Sequence, residues 1–130
     1  MLIKPKKSLG QNFLVDNNIL DLIADIIKIK NDDIILEIGP GTGNLTEKLL
    51  LKNPKKIILI EKDKDLSINL KMKFKEKINL VNQDILKIDE EILSRKKMIF
   101  FGNLPYNIST QILVKWIKLK NLNNIFKKLV

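Results

Sequence analysis

Four short runs of β-branched and other apolar residues, separated by stretches with helical spacing, constrain this chain more than any other feature. "DIILEIG" (Asp33 to Gly39), "KIILIE" (Lys56 to Glu61), "INLVNQD" (Ile78 to Asp84) and "KMIFFGN" (Lys97 to Asn103) read as strands buried on both faces. Ahead of them, "DNNILDLIADIIKI" offers Asp16 as an N-cap and an apolar stripe of Ile19, Leu22, Ile23, Ile26 and Ile27. "NLTEKLLLK", "DKDLSINLKMKF" and "STQILVKWIKL" predict helices after the first, second and fourth strands, the last capped by Ser109. "ILKIDEEILSRK" has room for a short helix at most. Trp116 falls in a stripe with Ile112, Leu113 and Ile117 and is expected in the core. Alternating strands and helices imply an α/β fold with a mostly parallel sheet, because parallel neighbours need right-handed crossovers. Ligands of such sheets sit beyond the carboxyl ends of the strands. Gly39, Glu61, Asp84 and Asn103 all fall at those ends and should converge on one rim.

Composition narrows the chemistry. The 130 residues suffice for one domain, and the absence of cysteine and histidine excludes disulfides, thiolate zinc sites and the usual catalytic triads. Reactions here must use carboxylates, amides, hydroxyls or a borrowed cofactor. No window approaches ~18 apolar residues, so a soluble, cytoplasmic protein without a membrane partner is expected. The net charge of +9 points to an anionic partner such as nucleic acid. All but Arg95 of the 24 basic residues are lysine, however, a mixture that an AT-rich genome would also produce.

"LEIGPGTGNLTEKL" sets Gly39, Gly41 and Gly43 between the first strand and a helix. Missing side chains let the backbone approach a ligand, and the helix N-terminus adds free N–H groups. A dinucleotide fingerprint would want a third glycine at Asn44. The spacing fits better a loop that cups the amino-acid part of S-adenosylmethionine, with Glu37 reaching the ammonium through a water. Glu61 follows about 20 residues on, where an acid takes ribose hydroxyls. Asp84 then accepts from the adenine amino group while Ile85 packs on the ring. The alternatives are a turn serving only the fold and solvated strand-end acids. "EKDKDL", the lysines from Lys71 to Lys77, and Asp89 to Glu91 read as solvated helix faces.

"FFGNLPYNIS" breaks an apolar strand at Gly102 and follows it with Asn103, Leu104, Pro105 and Tyr106. An adenine amine is a poor nucleophile because its lone pair is delocalised into the ring. Acceptance of hydrogen bonds by the Asn103 side-chain oxygen and the Leu104 carbonyl would draw that lone pair out of conjugation. Pro105 fixes the turn, and Tyr106 offers a face for an extruded base. The bland alternative is a capping turn with a tyrosine in a crevice.

"GQNFL" (Gly10 to Leu14), "EIGPGTGNLT", Glu61, "QDIL" (Gln83 to Leu86) and "GNLPYNIST" (Gly102 to Thr110) together closely resemble the ribosomal RNA adenine N6,N6-dimethyltransferase family. The resemblance covers nearly the whole chain. It implies a Rossmann-like S-adenosylmethionine-dependent methyltransferase sheet that dimethylates two adjacent adenines near the 3′ end of small-subunit (16S) rRNA. The substrate would be a 30S precursor in ribosome biogenesis, and the enzyme monomeric. By family pattern Asn12, Leu14, Gly39, Glu61, Asp84 and Asn103 contact the cofactor, and Gln11 lies in a segment that closes over it. Family members are about twice as long, with further strands and a helical C-terminal domain. This chain would then be the N-terminal part of the domain, truncated in or near the fifth strand, which "NNIFKKLV" opens, and would leave an exposed apolar sheet edge. Competing readings are an RNA-binding assembly factor with a vestigial cofactor site, a DNA adenine methyltransferase and, remotely, a nicotinamide dehydrogenase.

Overall fold

The computed structural model describes residues 16–102, 104–119 and 122–130. Five strands, β1 (Ile34–Ile38), β2 (Lys56–Ile60), β3 (Asn79–Val81), β4 (Met98–Gly102) and β5 (Phe126–Leu129), form one sheet in the order β3-β2-β1-β4-β5. Every pairing is parallel. The connections carry α1 (Asn17–Asp25), α2 (Asn44–Leu50), α3 (Lys64–Phe74), α4 (Tyr106–Ile117) and α5 (Leu122–Ile125), with 3-10 turns at Lys75–Lys77, Ile85–Lys87 and Glu90–Ile92. No described helix is long and apolar enough to cross a membrane.

Alternation along each strand divides the core into two layers. Ile34, Leu36, Ile38, Ile58, Ile60, Met98 and Phe100 pack with Ile112 and Trp116 of α4. Ile35, Ile57, Leu59, Ile99 and Phe101 pack with Leu20 and Ala24 of α1, Leu45 and Leu49 of α2, and Leu70 and Phe74 of α3. β1 is buried along its whole length, as a central parallel strand covered on both faces must be. At the lower end of the sheet Asp33 accepts from Lys30 N (2.7 Å) and from Lys127 Nζ (2.9 Å), fastening β5 to the start of β1 across β4.

Four local details depart from the sequence reading. Asp16 caps α1 as expected, accepting from the N–H groups of Asn18 and Ile19, but the helix buries Leu20 and Ala24 and leaves Ile19, Leu22 and Ile26 exposed. α4 starts at Tyr106, with Pro105 rather than Ser109 as its N-cap, just over a turn earlier; the Pro105 φ of −56° and missing N–H suit a helix start. On α4, Trp116 and Ile112 are core residues, whereas Leu113 and Ile117 face outward. The β5 edge exposes Lys127 and Lys128 beside Leu129, so the expected apolar edge carries charge that discourages strand addition.

The α1 face gives a direct check by urea denaturation. Leu20→Ala should cost about 2–5 kcal/mol by opening a cavity under the helix. Ile26→Ser should stay within about 0.5 kcal/mol. Equal losses would mean that the helix packs through the outer stripe.

Candidate functional site

Register builds the rim. Ile38 pairs with Ile60 on one side and Gly102 on the other, and Ile60 pairs with Val81. The last paired residues of four strands therefore lie in a row, and Gly39, Glu61 and Asn82 emerge beside one another. The strand order reverses between β1 and β4. From there the chain after β1 turns to α2 on one face and the chain after β4 turns to α4 on the other. A crevice at such a reversal is where open α/β sheets take ligands.

The glycine loop is tied to that rim. Gly39 N donates to Ile60 O (3.0 Å), and Gly41 N donates to Glu61 Oε1 (3.2 Å). Gly39 has a φ of +68°, and a Cβ there would lie 2.6 Å from Leu104 Cδ2. Glycine is thus required both by the left-handed turn and by contact with the segment after β4. Gly43, the N-cap of α2 at φ +88°, leaves room for the Phe74 ring, which a Cβ would meet at 2.6 Å.

Three acids line this region in different states. Glu37 lies on the α2 side of β1, 2 % exposed, and accepts a short bond from Thr46 Oγ1 (2.6 Å). Burial pushes its carboxyl up to about 7; the Thr46 bond opposes the rise and the charge of Glu61 adds to it. Burial also raises Glu61, against the N–H groups of Asp63 and Gly41, which favour its ionised form. Each Glu61 oxygen accepts one backbone bond, from Gly41 N and from Asp63 N (2.9 Å), which leaves lone pairs for a ligand hydroxyl. Asp84 lies beyond the short β3, not at its end. Its Oδ1 caps the following 3-10 turn through Leu86 N (3.0 Å), and Oδ2 stands 3.5 Å from Lys62 Nζ. Where the chain leaves the ladder, the Asn82 side-chain amide donates to the carbonyls of Glu61 (2.9 Å) and Lys62 (3.1 Å). Ile85 is buried in the α4-side core.

Leu104 and Pro105 meet the same rim from β4. Leu104 touches the space over Gly39, and its carbonyl accepts a long bond from Ser109 Oγ (3.4 Å). A cavity of about 270 Å³ opens on the α4 side of this segment, lined by Phe100, Gly102, Leu104, Ile112, Trp116 and Val130 among others. Among the described residues no charged side chain lines it, and neither Glu61 nor Asp84 is part of that lining. Gln11, Asn12, Leu14 and Asn103 lie outside the described residues, and so does the Tyr106 side chain.

The sequence reading missed four partners. Thr46 was not matched to Glu37, although the two are brought face to face by the strand-to-helix turn. Asp63 and Glu90, taken as solvated, are 3 % and 1 % exposed. Asp63 caps α3 through Leu66 N, a role its place ahead of the helix could have signalled. Glu90 accepts from Lys115 Nζ and Trp116 Nε1, an arrangement with no local sequence signal. Asn82 secures the Glu61 carbonyl. As a donor set, the rim offers carboxylates to hydroxyls, amines and cations, and would repel a pyrophosphate.

Comparison with known proteins agrees with this geometry. The family model described as ribosomal RNA adenine dimethylase matches residues 3–128. Ribosomal RNA small subunit methyltransferase A of Pelagibacter ubique is 54 % identical over 130 residues, covering 100 % of this chain and 49 % of that protein. The chain spans about half the length of the curated relatives it matches. Among solved structures, a dimethyladenosine transferase from Plasmodium falciparum superposes with a TM-score of 0.73 at 34 % identity, over 91 % of this chain and 42 % of that one. The 23S rRNA methyltransferase ErmE gives 0.72 at 29 % identity, over 84 % and 44 %. With the match running through the glycine loop, the acids and the segment after β4, the chain belongs to the ribosomal RNA adenine dimethylase family.

Proposed function

We propose that this chain is the cofactor-binding part of an S-adenosylmethionine-dependent enzyme that dimethylates N6 of two adjacent adenines near the 3′ end of small-subunit rRNA. The observation that carries this reading is the convergence of the glycine loop, Glu61 and Leu104 at the β1/β4 reversal. The enzyme works as a cytoplasmic monomer on a 30S precursor, whose phosphates the lysine-rich surface attracts.

Each residue then has a task. Gly39, Gly41 and Gly43 shape the loop that cups the amino-acid end of the cofactor, with Gln11, Asn12 and Leu14 closing over it. Glu37 reaches its ammonium through a water. Glu61 takes the ribose hydroxyls, and Asp84 takes the adenine amino group beside Ile85. When bound, the sulfonium supplies an electrophilic methyl group. The Asn103 side-chain oxygen and the Leu104 carbonyl would accept from the target amine and draw its lone pair out of conjugation. The methyl would be transferred with its bond pair kept by the cofactor, and the amine proton it displaces would leave to water. Pro105 holds the two acceptors in place, and Tyr106 stacks on the base.

Asn103→Ala in a full-length protein carrying this chain should lower transfer of labelled methyl to unmodified small-subunit RNA by about 10²–10³-fold, the scale of losing one transition-state hydrogen-bond partner. Undiminished transfer would remove the role given to Asn103. Binding of precursors that ignores the cofactor would favour the assembly-factor reading, and preference for duplex DNA over RNA would favour a DNA enzyme.

Glu61→Ala should weaken calorimetric binding of S-adenosylhomocysteine about 10–100-fold through two charge-assisted hydrogen bonds. Unchanged affinity would place the ribose elsewhere.

Glu37 predicts a pH signature. Its carboxyl rises from 4.5 unfolded to about 7 folded, so the folded chain holds the extra proton between those values. The stability this group contributes, up to about 3 kcal/mol, is complete below pH 4.5 and lost as pH rises through about 7. An arriving ammonium favours the ionised form, so S-adenosylhomocysteine binding should strengthen with pH up to about 7 and release a proton at pH 6. Calorimetry in buffers of different ionisation enthalpy measures that proton. Glu37→Gln should abolish it, and persistence in the variant would assign it to another group.

A further inference from the structure

α4 is fastened to the segment after β3 by one side chain. Lys115 Nζ donates to Ile85 O (2.7 Å), Ile88 O (2.5 Å) and Glu90 Oε1 (2.5 Å), which uses all three ammonium donors. The same Glu90 oxygen accepts from Trp116 Nε1 (2.9 Å), and the Glu90 side chain is 2 % exposed. Ile85 and Ile88 belong to the cluster that holds Ile112 and Trp116. The segment so held begins with Asp84, whose carbonyl accepts from Lys87 N and whose carboxylate caps Leu86. The helix that holds it begins at Tyr106, directly after Leu104 and Pro105. A single ammonium thus spans the two sides of the candidate site.

Such a cluster is a poor device for stability alone. A buried ion pair loses much of its attraction to desolvation, and apolar replacement of both partners is often neutral or better. What three converging acceptors do supply is a fixed separation and orientation between two chain segments that share no sheet pairing.

We propose that Lys115 is a positioning residue: it fixes the Asp84–Ile85 segment against α4, and so sets where the adenine end of the cofactor lies relative to Leu104 and Pro105. This rests on the cofactor reading above. On that reading Asp84 faces the ligand, whereas Lys115 acts through the Ile85 carbonyl and Glu90. Occupation of the Asp84 end is therefore felt at Trp116 through the shared Glu90 carboxylate.

Trp116 is the sole tryptophan, so its emission reports on the cluster in the unmodified chain. Titration of the 130-residue chain with S-adenosylhomocysteine should give heat by calorimetry and a parallel change in Trp116 emission. Lys115→Met strands the Glu90 carboxylate, and its weaker binding could reflect folding alone. Lys115→Met/Glu90→Gln removes the charge while keeping an acceptor for Trp116. The double variant should recover the melting temperature lost in the single one, yet bind S-adenosylhomocysteine about tenfold more weakly than the parent, with no emission response. Parent-like affinity in the double variant would show the cluster to be structural only and overturn the proposal. So would a parent chain that binds with heat while Trp116 emission stays constant, an arm that decides the matter even where the double variant melts as low as the single. A parent chain that gives no heat removes the cofactor reading first and this inference with it.

Discussion

The parallel register of β4, β1 and β2 is the constraint on which the rest depends. With Ile38 held between Gly102 and Ile60, the chain leaves all three strands at one level. Side chains alternate along β1, so a slip of one residue would turn Glu37 away from Thr46 and bring Leu36 to the α2 face. Both core layers oppose that slip. The site therefore needs no dedicated scaffold; it is what remains where two fully packed faces end and successive loops turn to opposite sides.

Charge is sorted by depth. The lysines that give the chain its positive balance lie mostly at the surface, while Glu37 and Glu61 are enclosed at the rim with raised carboxyls. A buried acid without a cation is costly, and its usual relief is to hold a proton or meet a positive ligand. A basic exterior over an acidic recess suits a protein that meets a polyanion outside and a cationic small molecule within.

Most of the architecture was legible because the strands are buried on both sides and so carry an unbroken β-branched signal. "DIILEIG" became β1 less its two terminal residues, and Met98–Gly102 of "KMIFFGN" became β4. "INLVNQD" shortened to Asn79–Val81, and just past that end the Asn82 side-chain amide bonds the carbonyls of Glu61 and Lys62, a tertiary contact invisible to periodicity. In α1, two apolar stripes compete on one helix, and only the neighbouring α2 decides that Leu20 and Ala24 win. The helix after β4 was placed late because Ser109 is a better cap by type than Pro105, yet the fixed proline backbone sets the start. Gly39 and Glu61 were readable as rim residues, since strand-end position follows from topology; Asp84 falls three residues past the end of β3, and Asn103 lies outside the described residues. The Glu90–Lys115–Trp116 cluster was not, because acids in a polar run look solvated until a distant helix covers them.

The most direct test of the account is a crystal structure of this chain grown with S-adenosylhomocysteine. The ribose hydroxyls should lie within hydrogen-bond distance of Glu61 and the adenine amino group beside Asp84, with the amino-acid end under the Gly39–Gly43 loop. A ligand seated away from the β1/β4 reversal, or one that leaves Glu61 without a ribose contact, would contradict it.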